Sequence, residues 1–384
     1  MRSRDIIIFL TIVFVIYAGA NTFLYFKGAD AFKGIFDRGA YTILFILLSM
    51  TFIAGKVLER QYPSFLSELL NITGGFWLAF MLYSVLFIIV ADVLSLLLSA
   101  AGFIPFDRLA LFRQSSYLAS MALALVIITA GFVNTFFPKT RHYHIDLDKS
   151  AGTGELKIAA VSDMHLGSII GKRSIRILSG KLRDLSPDMI LFLGDIVDGE
   201  IKPVLRKDLL ELLDLPSSAR HVYGVMGNHE YIGDPAKTLP YIESKGIKLL
   251  LDKMVSLDNG IQLAGRKDRD SFRYKGEQRM ALSKLLRDAD HDRPLILMDH
   301  QPPMKKDRDL SGFDIMLSGH THNGQMWPLN YLTGSIYKLI YGHRVIEGRH
   351  YIVSSGFGSW GPRVRLGSRP EILCIHLHFK GQAG

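Results

Sequence analysis

Four long apolar stretches in the first 138 residues constrain the fold of this chain more than any other feature. They cover residues 6–26, 39–58, 74–98 and 117–137. A helix rises about 1.5 Å per residue, so about 20 apolar residues cross a hydrocarbon core of about 30 Å. A cleaved signal peptide would account for the first stretch but not for the other three. The sequence therefore predicts an all-α membrane domain of about four transmembrane helices over residues 1–138.

Charge separates this half from the rest of the chain. Residues 1–138 contain 9 Lys and Arg and 7 Asp and Glu, whereas residues 139–384 contain the other 36 and 29, together with all 13 histidines. Asp92 lies inside the third stretch, where it is either an ionisable residue of a membrane pathway or the point at which the helix bends or ends. Because we find no second acid or base within the spans, we favour the bend or end, and we expect neither a pump nor a channel.

The side of the membrane on which the second half lies can be inferred from the flanking charges. Four helices place both chain ends on one side, which collects seven Lys and Arg residues against five on the other. The seven are Arg2, Arg4, Lys56, Arg60, Lys139, Arg141 and Lys149, and the five are Lys27, Lys33, Arg38, Arg108 and Arg113. Since cytoplasmic loops carry the excess of positive charge, we predict a multi-pass protein of the inner or plasma membrane with a cytoplasmic C-terminal domain.

The second half has the pattern of a layered α/β domain. Residues 139–154 are polar, follow Pro138 and are interpreted as a linker. From residue 155 to residue 384, short apolar runs such as LKIAAVS, DMILFLG, HVYGVMG and PLILMDH alternate with segments of helical period at 172–185, 203–214 and 278–288. Further strands are expected within 247–264 and in HYIVSSG and EILCIHLHF. The single cysteine, Cys374, excludes an internal disulfide and a Cys-rich zinc site.

Polar side chains follow five of the apolar runs at the point where each predicted strand ends. In open α/β sheets, ligands bind outside the carboxyl ends of the strands. One polar group there is expected by chance, but five successive groups indicate a functional site. The residues concerned are Asp163, His165, Asp195, Asp198, Asn228, His229, Glu230, His300, His320 and His322.

The blocks DMH, GDIVDG, GNHE, MDHQP and GHTHNGQ, in this order, resemble the motifs of the calcineurin-like metallophosphoesterases. The resemblance covers about residues 156–380 and implies a β-sandwich flanked by helices. The blocks GHTHNGQMWP and GFGSWGPRVR resemble the bacterial branch that includes membrane-associated phosphoesterases. One departure is Asn323, which stands where a glycine is common.

The resemblance implies a site for two divalent metal ions, with Asp195 bridging them. A bridging carboxylate helps to hold two mutually repelling cations, which together clamp the attacking and leaving oxygens of a phosphoryl displacement. Because carboxylate, amide and imidazole ligands without thiolate suit Mn, Fe or Zn, we expect one of these metals. The implied ligands are Asp163, His165, Asp195 and His322 for one ion, and Asp195, Asn228, His300 and His320 for the other.

The resemblance also implies catalytic roles. His229 would be the general acid for the leaving alkoxide, and Asp198 would orient it, unless Asp198 only caps a helix. Glu230 is as readily structural as functional. The predicted activity is hydrolysis of a phosphoester or pyrophosphate bond by metal-activated water. By analogy with relatives of this branch, the substrate is lipid-linked, such as UDP-2,3-diacylglucosamine or a phospholipid.

Other readings remain open for the partners and for the protein as a whole. The basic residues at 266–275 and 363–369 grip a substrate phosphate or lipid headgroups, or else form a solvated face. Trp327 and Trp360 wall the cleft or face the membrane. We expect the lipid bilayer and a phosphorylated substrate as partners. No nucleic acid is expected, because anionic lipid explains the net charge of +9. A catalytically inert membrane scaffold or sensor is the main alternative, and a transporter with a fused regulatory domain ranks last.

Overall fold

The computed structural model describes residues 3–308 and 310–380. The chain divides into two compact units, Met1–Val133 with Gly361–Val364, and Asn134–Trp360 with Arg365–Gly384. Arg2, which was counted among the flanking charges, lies outside the described residues.

The first unit is built of four long helices. They are α1 (Ser3–Ala31), α2 (Arg38–Gln61), α3 (Phe65–Ala100) and α4 (Leu109–Asn134), the last preceded by a 3-10 turn at Phe106–Arg108. Each is long and apolar enough to cross a membrane. The N-terminus of α3 is closed by a capping box, in which Ser64 and Ser67 satisfy each other's backbone N–H groups. The prediction of an N-terminal domain with four apolar helices is confirmed.

Two parts of the expectation for Asp92 are wrong: that the helix ends there, and that the spans hold no second charged group. Helix α3 does not end at Asp92 but continues to Ala100. A second charged group is also present, because α1 extends beyond the apolar stretch 6–26 and includes Lys27. Lys27 Nζ lies 2.7 Å from Asp92 Oδ2, and the Tyr117 hydroxyl donates a hydrogen bond to the same carboxylate. An ion pair of this kind offsets the charge of an acid among apolar helices.

The second unit contains two six-stranded sheets. The first sheet holds, in spatial order, β1 (Lys139–Leu147), β12 (Glu371–Phe379), β2 (Glu155–Val161), β3 (Met189–Phe192), β4 (His221–Gly224) and β5 (Lys248–Leu249). The second holds β10 (Gly342–Ile346), β11 (Arg349–Val353), β9 (Ile315–Ser318), β8 (Leu295–Met298), β7 (Gln262–Gly265) and β6 (Lys253–Ser256). Neighbours run parallel except for the pairs β12–β2, β6–β7 and β10–β11.

Helices flank the two sheets. They are α5 (Lys172–Leu185), α6 (Lys202–Lys207), α7 (Asn228–Ile232), α8 (Pro235–Ser244), α9 (Ser271–Lys275), α10 (Leu282–Leu285) and α11 (Leu329–Ile336). One apolar core lies between the sheets and joins residues such as Ile158 and Ile296. On the outer side of the first sheet, Leu178 of α5 packs in a second core with Phe192. The predicted β-sandwich flanked by helices is confirmed.

Two local predictions differ from the structure. Part of the predicted linker at 139–154 is β1, which pairs with β12 and buries Ile145 and Leu147 between the sheets. The helix expected at 203–214 is interrupted at Asp208, whose φ of 41° is left-handed, and a 3-10 turn follows at Leu209–Leu212.

Candidate metal centre

The carboxyl ends of strands from both sheets supply one polar cluster. Asp163 and His165 follow β2, Asp195 follows β3 and Asn228 follows β4 in the first sheet. In the second sheet, His300 follows β8, and His320 and His322 follow β9. The structure brings all seven of these side chains together.

Asp163, His165 and His322 form the first group of converging side chains. The Nε2 atoms of His165 and His322 lie 3.0 Å apart. Asp163 Oδ1 lies 3.4 Å from His322 Nε2 and 3.9 Å from His165 Nε2. All three residues are buried, so their lone pairs face one another rather than water.

Asp195, His300 and His320 form the second group. His300 Nε2 lies 3.2 Å from Asp195 Oδ2. Asn228 joins this group, since its Oδ1 lies 2.8 Å from His320 Nδ1 and 3.2 Å from His300 Nε2. An amide oxygen and two imidazole nitrogens therefore point at the same small space as the carboxylate.

The carboxylate of Asp195 connects the two groups. Its Oδ2 lies 3.2 Å from His300 Nε2 in the second group and 3.8 Å from His165 Nε2 in the first. Its other oxygen, Oδ1, accepts a hydrogen bond of 2.9 Å from the backbone N–H of His229. Because the backbone holds Oδ1, the carboxylate is fixed with Oδ2 between the two groups.

The backbone of the cluster is left-handed at most of these positions. Non-glycine residues rarely adopt such φ values, and they concentrate at functional sites, where the surrounding structure holds them. The residues concerned are Asp163, His165, Asp195, His320 and His322, with φ of 54°, 48°, 51°, 69° and 49°. Asn323, which occupies a position where the resemblance implies glycine, has φ of 50°, a conformation that asparagine tolerates.

Two glycines leave space around the donor atoms that any larger residue would fill. A Cβ on Gly227 would lie 2.7 Å from His300 Nε2 and would collide with the carboxylate of Asp195. A Cβ on Gly319 would collide with Ser162 and with the carboxylate of Asp163. The donors therefore surround a space from which larger side chains are excluded, and buried carboxylate, amide and imidazole donors are those that divalent transition metals take. The residues present fit a metal centre.

The surrounding charges favour an ionised Asp195 and a neutral His322. Burial opposes ionisation of Asp195, but His300 and the neighbouring imidazoles hold the pKa of its carboxyl well below the usual range. Burial and the nearby Arg365 guanidinium hold the pKa of His322 well below its usual value. His322 therefore stays neutral, which is the form that binds metal.

Arg365 orients His322 from behind. Its side chain is fully buried, and Nη2 donates a hydrogen bond of 2.8 Å to His322 Nδ1, which fixes the orientation of this ring. The guanidinium also donates to the carbonyl oxygens of Ser355 and Gly358. The sequence contained no sign of this role, because Arg365 resembled other arginines in a basic segment.

His229 and Asp198 form a pair beside the cluster. His229 Nδ1 lies 2.9 Å from Asp198 Oδ1, and the same oxygen lies 3.3 Å from His165 Nδ1. Burial lowers the pKa of His229, but the carboxylates of Asp195 and Asp198 outweigh this effect and raise it to about 9. The ring of His229 remains 19% exposed and lies 6.5 Å, centroid to centroid, from the half-exposed Trp360. Of the two alternatives for Trp360, this position favours the wall of the cleft.

Glu230 is a structural clamp for the cluster. Its buried carboxylate accepts hydrogen bonds from the backbone N–H groups of Asp195, Val197 and Gly227, at 3.1, 2.8 and 2.7 Å. The loops that follow β3 and β4 are thereby tied to each other.

The main arginines of the basic segment at 266–275 pair with carboxylates of the protein, so they neither bind a substrate phosphate nor form a solvated face. Arg266 is buried and lies 3.1 Å from Asp299, and Arg269 lies 2.5 Å from Asp307. Lys267 pairs with Glu277 at 2.8 Å. These side chains stabilise the loops around the second sheet because each charge has an internal partner.

Comparison with known proteins gives one family and several relatives. Residues 156–324 match the family described as calcineurin-like phosphoesterase. An uncharacterized metallophosphoesterase of Aquifex aeolicus is 28% identical over 266 residues, which are 68% of this chain and 100% of the relative. An uncharacterized metallophosphoesterase of Campylobacter jejuni is 28% identical over 382 residues, 97% of this chain and 99% of the relative.

A vertebrate protein is also similar. The transmembrane protein with metallophosphoesterase domain of Bos taurus is 35% identical over 240 residues, which are 58% of this chain and 53% of that protein.

Proposed function

Because the chain carries a calcineurin-like metallophosphoesterase domain and is a metal-dependent phosphoesterase, we propose that it uses two divalent cations to hydrolyse a phosphoester or pyrophosphate bond of a lipid-linked substrate. The observation that carries this proposal is the position of Asp195 Oδ2 between two groups of imidazole donors. A shared carboxylate is what two closely spaced cations require.

We assign one cation to each group of donors. Asp163, His165 and His322 hold the first, and His300, His320 and Asn228 hold the second. Asp195 is common to both. Since the donors are oxygen and imidazole nitrogen without thiolate, Mn, Fe or Zn is the expected metal.

The chain's own residues then position the reaction and move a proton. When bound, the cations supply Lewis acidity toward the phosphoryl oxygens and an activated water molecule. Asp198 accepts a hydrogen bond from the Nδ1–H group of His229 and so leaves the protonated Nε2 to deliver its proton to the departing oxygen. Asp198 also faces His165 Nδ1, so one carboxylate fixes both a metal ligand and the general acid.

The four apolar helices favour an amphipathic substrate. Residues 135–138 connect the end of α4 at Asn134 to the start of β1 at Lys139, so the catalytic domain is tethered closely in sequence to a membrane segment. We propose that the protein resides in the inner or plasma membrane, with this domain in the cytoplasm, where the positive flanking charges favour it. Its substrate is then a lipid-linked phosphate compound at that surface.

The test measures UMP release from UDP-2,3-diacylglucosamine by the full chain in detergent with Mn²⁺. Bis-p-nitrophenyl phosphate serves as a water-soluble generic substrate. We expect the wild type to hydrolyse the substrate and Asp195→Asn to lose more than about 100-fold in activity. Substitution of a group that only supports a metal ligand already costs about 10–100-fold, and loss of a shared ligand should cost more. Asp258→Asn is the matched control, since this carboxylate is 78% exposed and its partner is His221.

Each other outcome changes a different part of the proposal. Cleavage of the generic ester alone keeps the enzyme and removes this lipid-linked substrate. Bound metal without either product favours the inert scaffold or sensor. Equal rates for the wild type and Asp195→Asn contradict the assignment of the shared carboxylate.

A further inference from the structure

A second group of metal-binding side chains lies on the outer face of the first sheet, where β1 pairs with β12. Alternate residues of a strand face the same side of a sheet, so His142 and His144 of β1 lie on one face with Cys374, His376 and His378 of β12. The parallel register sets His142 opposite Cys374 and His144 opposite His376. None of these residues belongs to the candidate metal centre.

Three of these side chains converge on one point. His142 Nδ1 lies 3.2 Å from His376 Nε2, and Cys374 Sγ lies 3.3 Å from the same nitrogen. All three donor atoms are within 4.8 Å of one another. In a tetrahedral zinc site with nitrogen and sulfur ligands, bond lengths of about 2.0–2.3 Å put neighbouring donors roughly 3.4–3.6 Å apart. The two separations from His376 Nε2, 3.2 and 3.3 Å, are close to these values.

Hydrogen bonding alone satisfies this arrangement poorly. The Nε2 atom of a neutral histidine has a single lone pair in the plane of the ring, yet it faces both an imidazole nitrogen and a thiol. A cation between the three atoms would use the lone pairs of all of them at once. Ring stacking also fixes the orientation of His376, because the ring of His144 lies 4.5 Å away at an interplanar angle of 9°.

Two charged side chains of β2 near these histidines, Lys157 and Glu155, have partners of their own. Lys157 is opposite His376 in the antiparallel register with β2, but its ammonium donates to the carbonyl oxygen of Leu185. Glu155 lies 3.3 Å from His378, which sets that histidine apart from the converging three.

We propose that His142, Cys374 and His376 bind one borderline-soft divalent cation such as Zn²⁺, separate from the catalytic metals. The ion joins β1, the first strand after the apolar helices, to β12. Cys374 binds as thiolate and releases its proton to solvent when the metal enters. The site stabilises this sheet edge rather than taking part in phosphoester hydrolysis.

Cobalt spectroscopy tests this site independently of the catalytic centre. Because the chain has one cysteine, a thiolate-to-Co²⁺ charge-transfer band reports Cys374 alone. The full chain in detergent is freed of metal with a chelator, kept reduced, and titrated with Co²⁺. We expect a near-ultraviolet band whose amplitude at saturation corresponds to one thiolate-bound Co²⁺ per chain, whatever the catalytic centre binds, and which disappears when Zn²⁺ is added.

Three variants complete the design. Cys374→Ala abolishes the band. His142→Ala, which changes an exposed side chain and spares the core, weakens Co²⁺ binding at this site by about tenfold or more, the least that loss of a direct ligand should cost. His378→Gln is the matched control and keeps the band. A wild-type chain saturated with Co²⁺ that shows no band overturns the proposal, as does a band whose affinity is unchanged in His142→Ala.

Discussion

At the scale of single residues, the cluster depends on groups that bind no metal. Glu230 accepts hydrogen bonds from three backbone N–H groups, and Arg365 donates a hydrogen bond to the Nδ1 atom of His322. Both side chains are fully buried, and both hold residues of the cluster in place. Second-layer groups of this kind commonly affect metal sites almost as strongly as the ligands themselves.

His229 provides the sharpest residue-scale prediction. His229→Ala removes the proton donor but none of the assigned ligands, so we expect unchanged metal content and a turnover lower by about 10²–10⁴-fold. Metal analysis of the purified variant, together with kcat on the generic diester, checks both parts. Loss of metal in parallel with activity would instead make His229 a ligand, as its position near His165 and Asp195 allows.

The seven assigned ligands could be predicted from the sequence, because each follows an apolar run and carries a metal-binding side chain. The contact of Arg365 with His322 and the ion pair of Lys27 with Asp92 could not be predicted in this way. In both cases the partners are far apart in sequence, and neither segment has a periodicity that indicates contact. Glu230 was adjacent to a ligand in sequence, but its hydrogen bonds exist only once the loops after β3 and β4 have met.

At the scale of elements, β1 is the main surprise. Fully buried strands such as β3 and β8 appear in the sequence as continuous apolar runs, which made them predictable. Strand β1 lies at the edge of its sheet and alternates exposed polar residues with Ile145 and Leu147. Following a proline and rich in charge, this pattern resembled a linker.

If β1 is an integral strand, its inward residues contribute to stability. Ile145 is 1% exposed within the core between the sheets, so Ile145→Ala should lower the free energy of unfolding by about 2–5 kcal/mol. Thermal unfolding of the full chain in detergent, followed by near-UV circular dichroism, measures the change. Asp146→Ala is the neighbouring control on the exposed face of the same strand, and an equal effect in both variants would argue that this segment is a linker after all.

At the scale of the whole molecule, four long apolar helices and a phosphoesterase domain occupy one chain. If the four helices, of 24 to 36 residues, span a bilayer as proposed, all of them would have to leave it together before the protein could become soluble.

We therefore expect the chain to stay in the membrane pellet after an alkaline carbonate wash and to be released by detergent. Immunoblotting of the pellet and supernatant checks this prediction. Release by carbonate alone would mean that the helices bind the membrane only at its surface or bind another protein.

The spatial order β1-β12-β2 has a consequence for how the protein is made. Of the described strands, β12 is the last to be synthesised, yet it fills the gap between the first two. Until Glu371–Phe379 has left the ribosome, the edge of β2 stays unpaired and the interior of the sandwich stays open on that side. The four helices emerge much earlier and can be inserted while the rest is still being translated. If these helices span the membrane as proposed, the chain is anchored before its phosphoesterase domain is complete, and no finished domain can be released elsewhere in the cell.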